Sequence, residues 1–263
     1  MTVERLSASV RRVRAPNPSP ITLEGTNTYI VGDAEPIVID PGPNIASHLD
    51  EVLDAAGSPS LVLLTHRHAD HAEGAERFAA AARAPLAAYA PPGGMHEDVD
   101  PVGDGQRITA AEVTLVASHT PGHSSDHLCF WLGGERALFT GDHVLGRGTT
   151  VIAYPDGDMA AYMTSLERAA SFRPSRLYPG HGPVVDEPAS VLRYYADHRT
   201  DRENQVLAAI DAGDDTVERM VARMYADVDA ALHAAAALSL RAHLVKLQHE
   251  GRIEAEGNRW RRA

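Results

Sequence analysis

Residues 65–71 read Thr-His-Arg-His-Ala-Asp-His, directly after the apolar run Leu61-Val62-Leu63-Leu64. Imidazole and carboxylate are the donor set that suits zinc or a similar divalent ion. The spacing constrains the backbone as well. Histidines at i and i+2 diverge on a helix and share a direction only on an extended or looped segment. A strand ending in such a loop can offer His66 and His68 to one metal while Asp70 and His71 turn toward a second. The competing reading is a His-rich surface loop in a chain with 14 histidines. Four ligand-type side chains between positions 66 and 71 are too dense for that to be the better account.

A chain of 263 residues, 44% hydrophobic and 23% charged, has the composition of an ordinary globular protein with room for a large domain and a smaller appendage. No apolar stretch approaches the ~20 residues that cross a bilayer, so no membrane association is expected. The start has no apolar core of a secretory signal. Arg11, Arg12 and Arg14 alternate with Val10 and Val13 as in a half-buried strand, so a targeting peptide is not expected either. Cys129 is the only cysteine, which excludes an intrachain disulfide and fits a cytoplasmic setting. It lies in the strand-like run Leu128-Cys129-Phe130-Trp131-Leu132 and reads as a packing residue. The net charge of -12 argues against a protein held on nucleic acid by a basic surface. Two bound divalent ions would still make a local cationic site.

The first two thirds alternate strand-like and helix-like runs, which implies layered α/β packing. Strands are expected at 28–31, 37–39, 61–64, 86–89, 113–117, 127–132 and 137–140. Ile45, Leu49, Val52, Leu53 and Ala56 fall at helical spacing before Gly57, and an Ala-rich helix is expected over 72–83. Asp158 is placed to cap a helix running to Phe172. Near Asp186-Glu187-Pro188 the character changes, and 189–212, 214–226 and 229–250 read as helices, the last with a Leu240, Leu244, Leu247 stripe. The alternating end, 252–260, reads as a small hairpin. Three helices and a hairpin fit a winged-helix module, so the expected division is 1–188 and 189–263.

Further ligand-type residues follow other apolar runs. Thr120-Pro121-Gly122-His123 puts a histidine in a tight turn, Phe139-Thr140-Gly141-Asp142 ends a strand with a carboxylate, and Tyr178-Pro179-Gly180-His181-Gly182 offers a histidine between glycines. All of these can converge on one sheet edge. His66, His68 and His123 are therefore assigned to one metal and Asp70, His71 and His181 to another, with Asp142 bridging them. Asp40, before Pro41-Gly42, reads equally well as a turn former and as a residue holding a ligand histidine from behind. His143 is left out, because neighbours on an extended segment point opposite ways. His119 and His127 flank the His123 turn and read as supporting or plain strand residues. His48, His96, His198, His233, His243 and His249 read as surface or helix positions, and Asn27 as a turn residue.

The set His-x-His-x-Asp-His, followed by His, Asp and His on later loops, resembles the signature of the metallo-β-lactamase superfamily, with every ligand position of its dinuclear branch filled. Gly25-Thr26-Asn27-Thr28-Tyr29-Ile30-Val31-Gly32, the stretches 120–127 and 178–183, and the tail Leu244-Val245-Lys246-Leu247-Gln248-His249-Glu250-Gly251 are similar to the lactamase-beta-like protein 2 family. The resemblance spans essentially the whole chain. It implies a four-layered αβ/βα sandwich with a small C-terminal winged-helix domain, and two zinc ions as cofactors, with Mn2+ or Fe2+ as substitutes. It also implies single-stranded RNA as the favoured substrate, while related thioesterases keep an ester or thioester hydrolase of the glyoxalase II kind about level.

The expected chemistry is hydrolysis by a metal-bridging hydroxide, with Asp70 both binding metal and orienting that hydroxide. No nucleophilic serine or cysteine is needed, and no residue stands out as acid for the leaving group. A true β-lactamase ranks third, because Asp142 fills a bridging position that enzymes specialised for β-lactams lack. A non-enzymatic DNA-binding or metal-sensing protein ranks last. Its recognition-like helix would carry Arg241, His243, Lys246 and His249, but acidic residues outnumber basic ones over 201–263. The helical module is expected to act as a lid over the site edge or as a homodimer contact.

Overall fold

The computed structural model describes residues 3–90, 99–227, 229 and 233–263. Its strands alternate apolar side chains between two cores, and that alternation decides the architecture. Strands β1 (Glu4–Arg5), β2 (Val10–Arg14), β3 (Asn27–Val31), β4 (Ile37–Ile39), β5 (Leu61–Leu63), β6 (Leu86–Tyr89) and β7 (Asp100–Val102) form one sheet in sequence order. A second sheet pairs β8 (Arg107–Ala110), β9 (Val113–His119), β10 (Leu128–Leu132), β11 (Ala137–Gly141) and β12 (Arg176–Pro179). Tyr29, Val31, Ile37, Ile39 and Leu63 point from the first sheet into a shared core with Leu115, Leu128, Phe130, Phe139 and Tyr178 of the second.

The intervening residues face outward onto helices. Ile30, Val38 and Val62 pack against Leu49 and Val52 of α1 (Ala46–Ala56) and Phe78 of α3 (Ala75–Ala82). Cys129, Leu138 and Leu177 pack against Tyr162 and Leu166 of α4 (Met159–Ser171) and Leu192 and Tyr195 of α5 (Pro188–Asp211). Strands buried on both faces read as continuous apolar runs, and helix, sheet, sheet, helix is the four-layered α/β sandwich that the resemblance implies. Asp158 caps α4 as expected, its Oδ1 accepting from the Ala160 and Ala161 amides at 2.8 and 3.0 Å. None of the described helices is long and apolar enough to cross a membrane.

Local differences have local causes. The expected helix over 72–83 is two helices, α2 (Ala69–Ala72) and α3, broken at Gly74. A Cβ there would meet the Gly42 carbonyl at 2.9 Å and Leu49 at 2.8 Å, so the chain passes too close for a side chain. The short strands β7 and β8 escape the apolar-run criterion. One contains Pro101, tolerated at a sheet edge, and the other alternates exposed Arg107 and Thr109 with buried Ile108 and Ala110.

The last third folds as α5, α6 (Val217–Met224), α7 (His233–His249) and the hairpin β13 (Ile253–Glu256) and β14 (Arg259–Arg262). Leu240, Leu244 and Leu247 join Val206 and Ile210 of α5, Met220 of α6 and Ile253 in a core of their own. The first half of α5 thus packs on the second sheet and its second half on the winged-helix core. The expected start of the last helix lies partly outside the described residues, as does His96. On α7, His243 is buried and Lys246 is paired with Glu203 at 2.9 Å and Glu250 at 2.7 Å, so neither is presented as a phosphate contact.

Candidate metal centre

Strands β4, β5, β9, β11 and β12 all end on the same side of the sandwich, and each is followed by a polar residue of interest. Asp40 follows β4, His66 follows β5, His123 lies in the turn after β9, Asp142 follows β11, and His181 follows β12. His68 starts α2, and Asp70 and His71 lie within it. The structure brings all seven sequence-assigned residues into one cluster, and it also brings Asp40 against that cluster.

The donor atoms fall into two groups. His68 Nδ1 lies 2.9 Å from both His66 Nε2 and His123 Nε2. His181 Nε2 lies 3.3 Å from His71 Nε2 and 3.0 Å from Asp70 Oδ2. Asp142 faces both groups, with Oδ1 at 3.3 Å from His71 Nε2 and 3.2 Å from His181 Nε2, and Oδ2 at 3.7 Å from His123 Nε2. Ligands of one tetrahedral zinc, each about 2.0–2.1 Å from the ion, sit about 3.3 Å from one another. The spacing within each group therefore fits a common cation. The buried Asp142 Oδ1 has no hydrogen-bond partner, which fits a cation better than a donor. Gly180 is required here: a Cβ would lie 2.7 Å from both Asp142 Oδ1 and His71 Cε1.

The far nitrogens of His66, His71 and His123 each have a partner that fixes which nitrogen turns inward. His71 Nδ1 lies 2.8 Å from Asp40 Oδ2, and Asp40 also accepts from the Thr65 amide and hydroxyl, both at 2.7 Å. Asp40 has φ +51° as well, so it is a turn residue and a histidine anchor at once. His123 Nδ1 donates to the Val151 carbonyl at 2.8 Å, and Thr65 Oγ1 stands 3.0 Å from His66 Nδ1. His127 supports the carboxylate instead: its Nε2 accepts from the Asp142 amide at 3.2 Å. His143 is buried edge-on against Tyr162 at 4.9 Å and joins neither group. His119 stacks on Tyr89 at 3.9 Å.

Several residues here escape reading by type. Asn27 is not a turn residue: its side-chain amide donates to the Pro179 and Gly182 carbonyls at 2.9 and 3.0 Å, and the Tyr29 hydroxyl to Pro179 at 2.8 Å. The early stretch 25–32 is thus the clip that holds the His181 loop, a role that only the pairing of distant segments reveals. Thr65 and Val151 carry no signal of their own.

The electrostatics follow from burial and close carboxylates. Burial alone lowers His181, but Asp142 and Asp70 outweigh it and raise its pKa to about 9. Burial also disfavours charge on His71, where Asp142 and Asp40 win and push its pKa well above the usual value. Asp142 is held far below the ordinary carboxylate range, its burial overcome by His181 and His71. His66 and His127 are driven well below the usual histidine value by burial first and then by neighbouring histidine charges. Burial takes His143 down to about 3.

These directions set a stability profile for the metal-free protein. Stability from His71 and His181 is complete below the unfolded value of about 6.5 and is lost as pH rises through the folded values, about 9 for His181. The lowered histidines stay neutral when folded, so they cost stability only below about pH 6.5. Thermal melts from about pH 5 to about pH 9 should therefore peak near about 6.5, and zinc should remove the alkaline decline, because metal displaces the bound protons. A metal-free melting temperature that climbs steadily to pH 9 would contradict these assignments.

Comparison with known proteins agrees with this fold. Residues 21–181 match the family model of the metallo-beta-lactamase superfamily, and residues 216–260 match that of the beta-lactamase associated winged helix domain. A Beta-lactamase-like protein 2 homolog of Drosophila melanogaster is 35% identical over 272 residues, covering 95% of this chain and 91% of its own. An Atrochrysone carboxyl ACP thioesterase of Cryptosporiopsis sp. is 35% identical over 250 residues, covering 86% of this chain and 74% of its own. A metallo-beta-lactamase family protein from Thermus thermophilus superposes with a TM-score of 0.84 at 20% identity, over 98% of this chain and 100% of its own, a likeness of fold.

Proposed function

The chain belongs to the metallo-β-lactamase superfamily of metal-dependent hydrolases, and from that premise we propose that it cleaves an ester or thioester bond of a small acyl substrate at a dinuclear centre. One ion is assigned to His66, His68 and His123, the other to Asp70, His71 and His181, with Asp142 between them. An imidazole-rich set with two carboxylates suits zinc, and accepts iron or manganese. Divalent ions held there would bring a water toward ionisation near neutral pH and draw charge off a substrate oxygen. Asp70 is the more exposed carboxylate, its side chain 27% accessible against 7% for Asp142. It can hold and align the attacking water, while Asp142 keeps the two groups together and His127 fixes the Asp142 backbone.

The observation that carries the substrate choice is the cavity of about 290 Å³ reaching His123 and Asp142. Ile21, Leu23 and Leu145 line it with Ala235 and Ala236 of α7, and a mostly apolar recess of this size fits an acyl group. The likeness to a protein named as a thioesterase supports the same reading. A polynucleotide calls for a basic groove with stacking platforms along its length, and the net charge is -12.

Hydrolysis of single-stranded RNA is the second reading, favoured by Arg147 and Arg202 on the wall of the same cavity. Labelled single-stranded RNA and a panel of acyl thioesters, assayed side by side with and without chelator, separate the two. Chelator-sensitive thioester cleavage without RNA cleavage is expected. RNA cleavage without thioester cleavage would overturn the choice.

A further inference from the structure

Residues 149–153 belong to no regular element, yet they carry the group that orients His123. The Val151 carbonyl accepts from His123 Nδ1 at 2.8 Å, and Thr150 Oγ1 stands 3.1 Å from the same nitrogen. From its other side the segment is tied to two helices of the last third. Arg199 of α5 donates from Nη2 to the Thr150 carbonyl at 2.6 Å, and Ser239 of α7 accepts from the Ile152 amide at 3.3 Å. Arg199 is itself buried, with its guanidinium 5.3 Å over the Tyr162 ring, so the tie is rigid at both ends.

We propose that Arg199 and Ser239 are positioning residues for His123, through which the C-terminal helices set the ion affinity of the His66, His68, His123 group and leave the other group untouched. The inference rests on the two-ion reading above. An imidazole can ligate through Nε2 only while its proton sits on Nδ1, and an acceptor at Nδ1 keeps it there. Releasing residues 150–152 removes that acceptor from its fixed place, and the ring then loses both its aim and its preferred tautomer. The second group is anchored elsewhere. His71 is set by Asp40, and the His181 loop by Asn27 and Tyr29, all in the first third of the chain. The C-terminal module thereby becomes part of the metal site without supplying a ligand.

Calorimetric zinc titration of the metal-free full-length chain tests this. In a His181→Ala background, where the His66, His68, His123 group dominates, Arg199→Met should weaken zinc by about 10- to 100-fold, as loss of an outer partner does. Ser239→Ala should weaken it less, and Arg199→Lys should recover part of the loss. In a His123→Ala background the same substitutions should change the remaining affinity by less than about two-fold. A merely structural lesion would weaken both backgrounds alike, and that result overturns the proposal, as does unchanged affinity in both. Ser239→Ala keeps the test open if Arg199→Met fails to fold. Failure of the unsubstituted chain to take up zinc would instead overturn the two-ion reading.

Discussion

Asp142→Ala should leave the protein with at most one tightly held ion and lower kcat/KM by more than about 100-fold, beyond the loss of an outer hydrogen-bond partner. Its two oxygens face both donor groups, at 3.2–3.3 Å from His71 and His181 and 3.7 Å from His123, so no single neighbour can replace it. Truncation also removes the carboxylate shared by His71 and His181, leaving Asp40 and Asp70 alone to offset their charge. The adjacent His143→Ala is the control. That ring is buried against Tyr162 and outside both groups, so its loss should keep both ions while costing about 2–4 kcal/mol of stability as a core truncation. Elemental analysis, initial rates and thermal melts on the pair check this. Retention of both ions by Asp142→Ala, or their loss in His143→Ala, would mean that the wrong neighbour carries the site.

Asp70→Asn should separate metal binding from the chemical step. Asp70 Oδ2 stands 3.0 Å from His181 Nε2 and 3.4 Å from His71 Nε2, and the Thr26 hydroxyl lies 3.4 Å from the same oxygen. Asparagine keeps the shape and one carbonyl donor but gives up the charge, so the ion should stay in weakened form. With the attacking water no longer aligned, kcat should fall by about 100-fold, as misplacement of a reacting group does. KM should change little, because Asp70 lies outside the lining of the acyl cavity. Steady-state kinetics at saturating zinc read the two constants separately. A rise in KM at unchanged kcat would move Asp70 from the chemistry to substrate binding.

What was legible in the sequence follows from where ligand-type residues sit relative to apolar runs. His66, His123 and Asp142 each follow a run long enough to mark a strand, whereas the Leu177-Tyr178 pair before His181 is too short to mark β12, and strands that end on one side of a sandwich bring their loops together. The helical stripe Leu240, Leu244, Leu247 is legible for the same reason, since its spacing faces one core. Asn27, Thr65, Val151 and Arg199 are not legible. They act through single hydrogen bonds to segments far along the chain, and nothing in residue type or local spacing records such a partner. Gly180 is intermediate. Its place beside His181 is visible, but the close approach that excludes a side chain appears only when β11 and β12 lie side by side.

Two groups of three donors, joined by Asp142, are expected to hold two divalent ions. Elemental analysis of the purified chain beside His123→Ala and His181→Ala tests it most directly. Close to two zinc-class ions per unsubstituted chain and close to one in each variant are expected, with hydrolysis lost on chelation and restored by zinc. No bound metal in the unsubstituted chain, with no activity recovered on adding zinc, would contradict it.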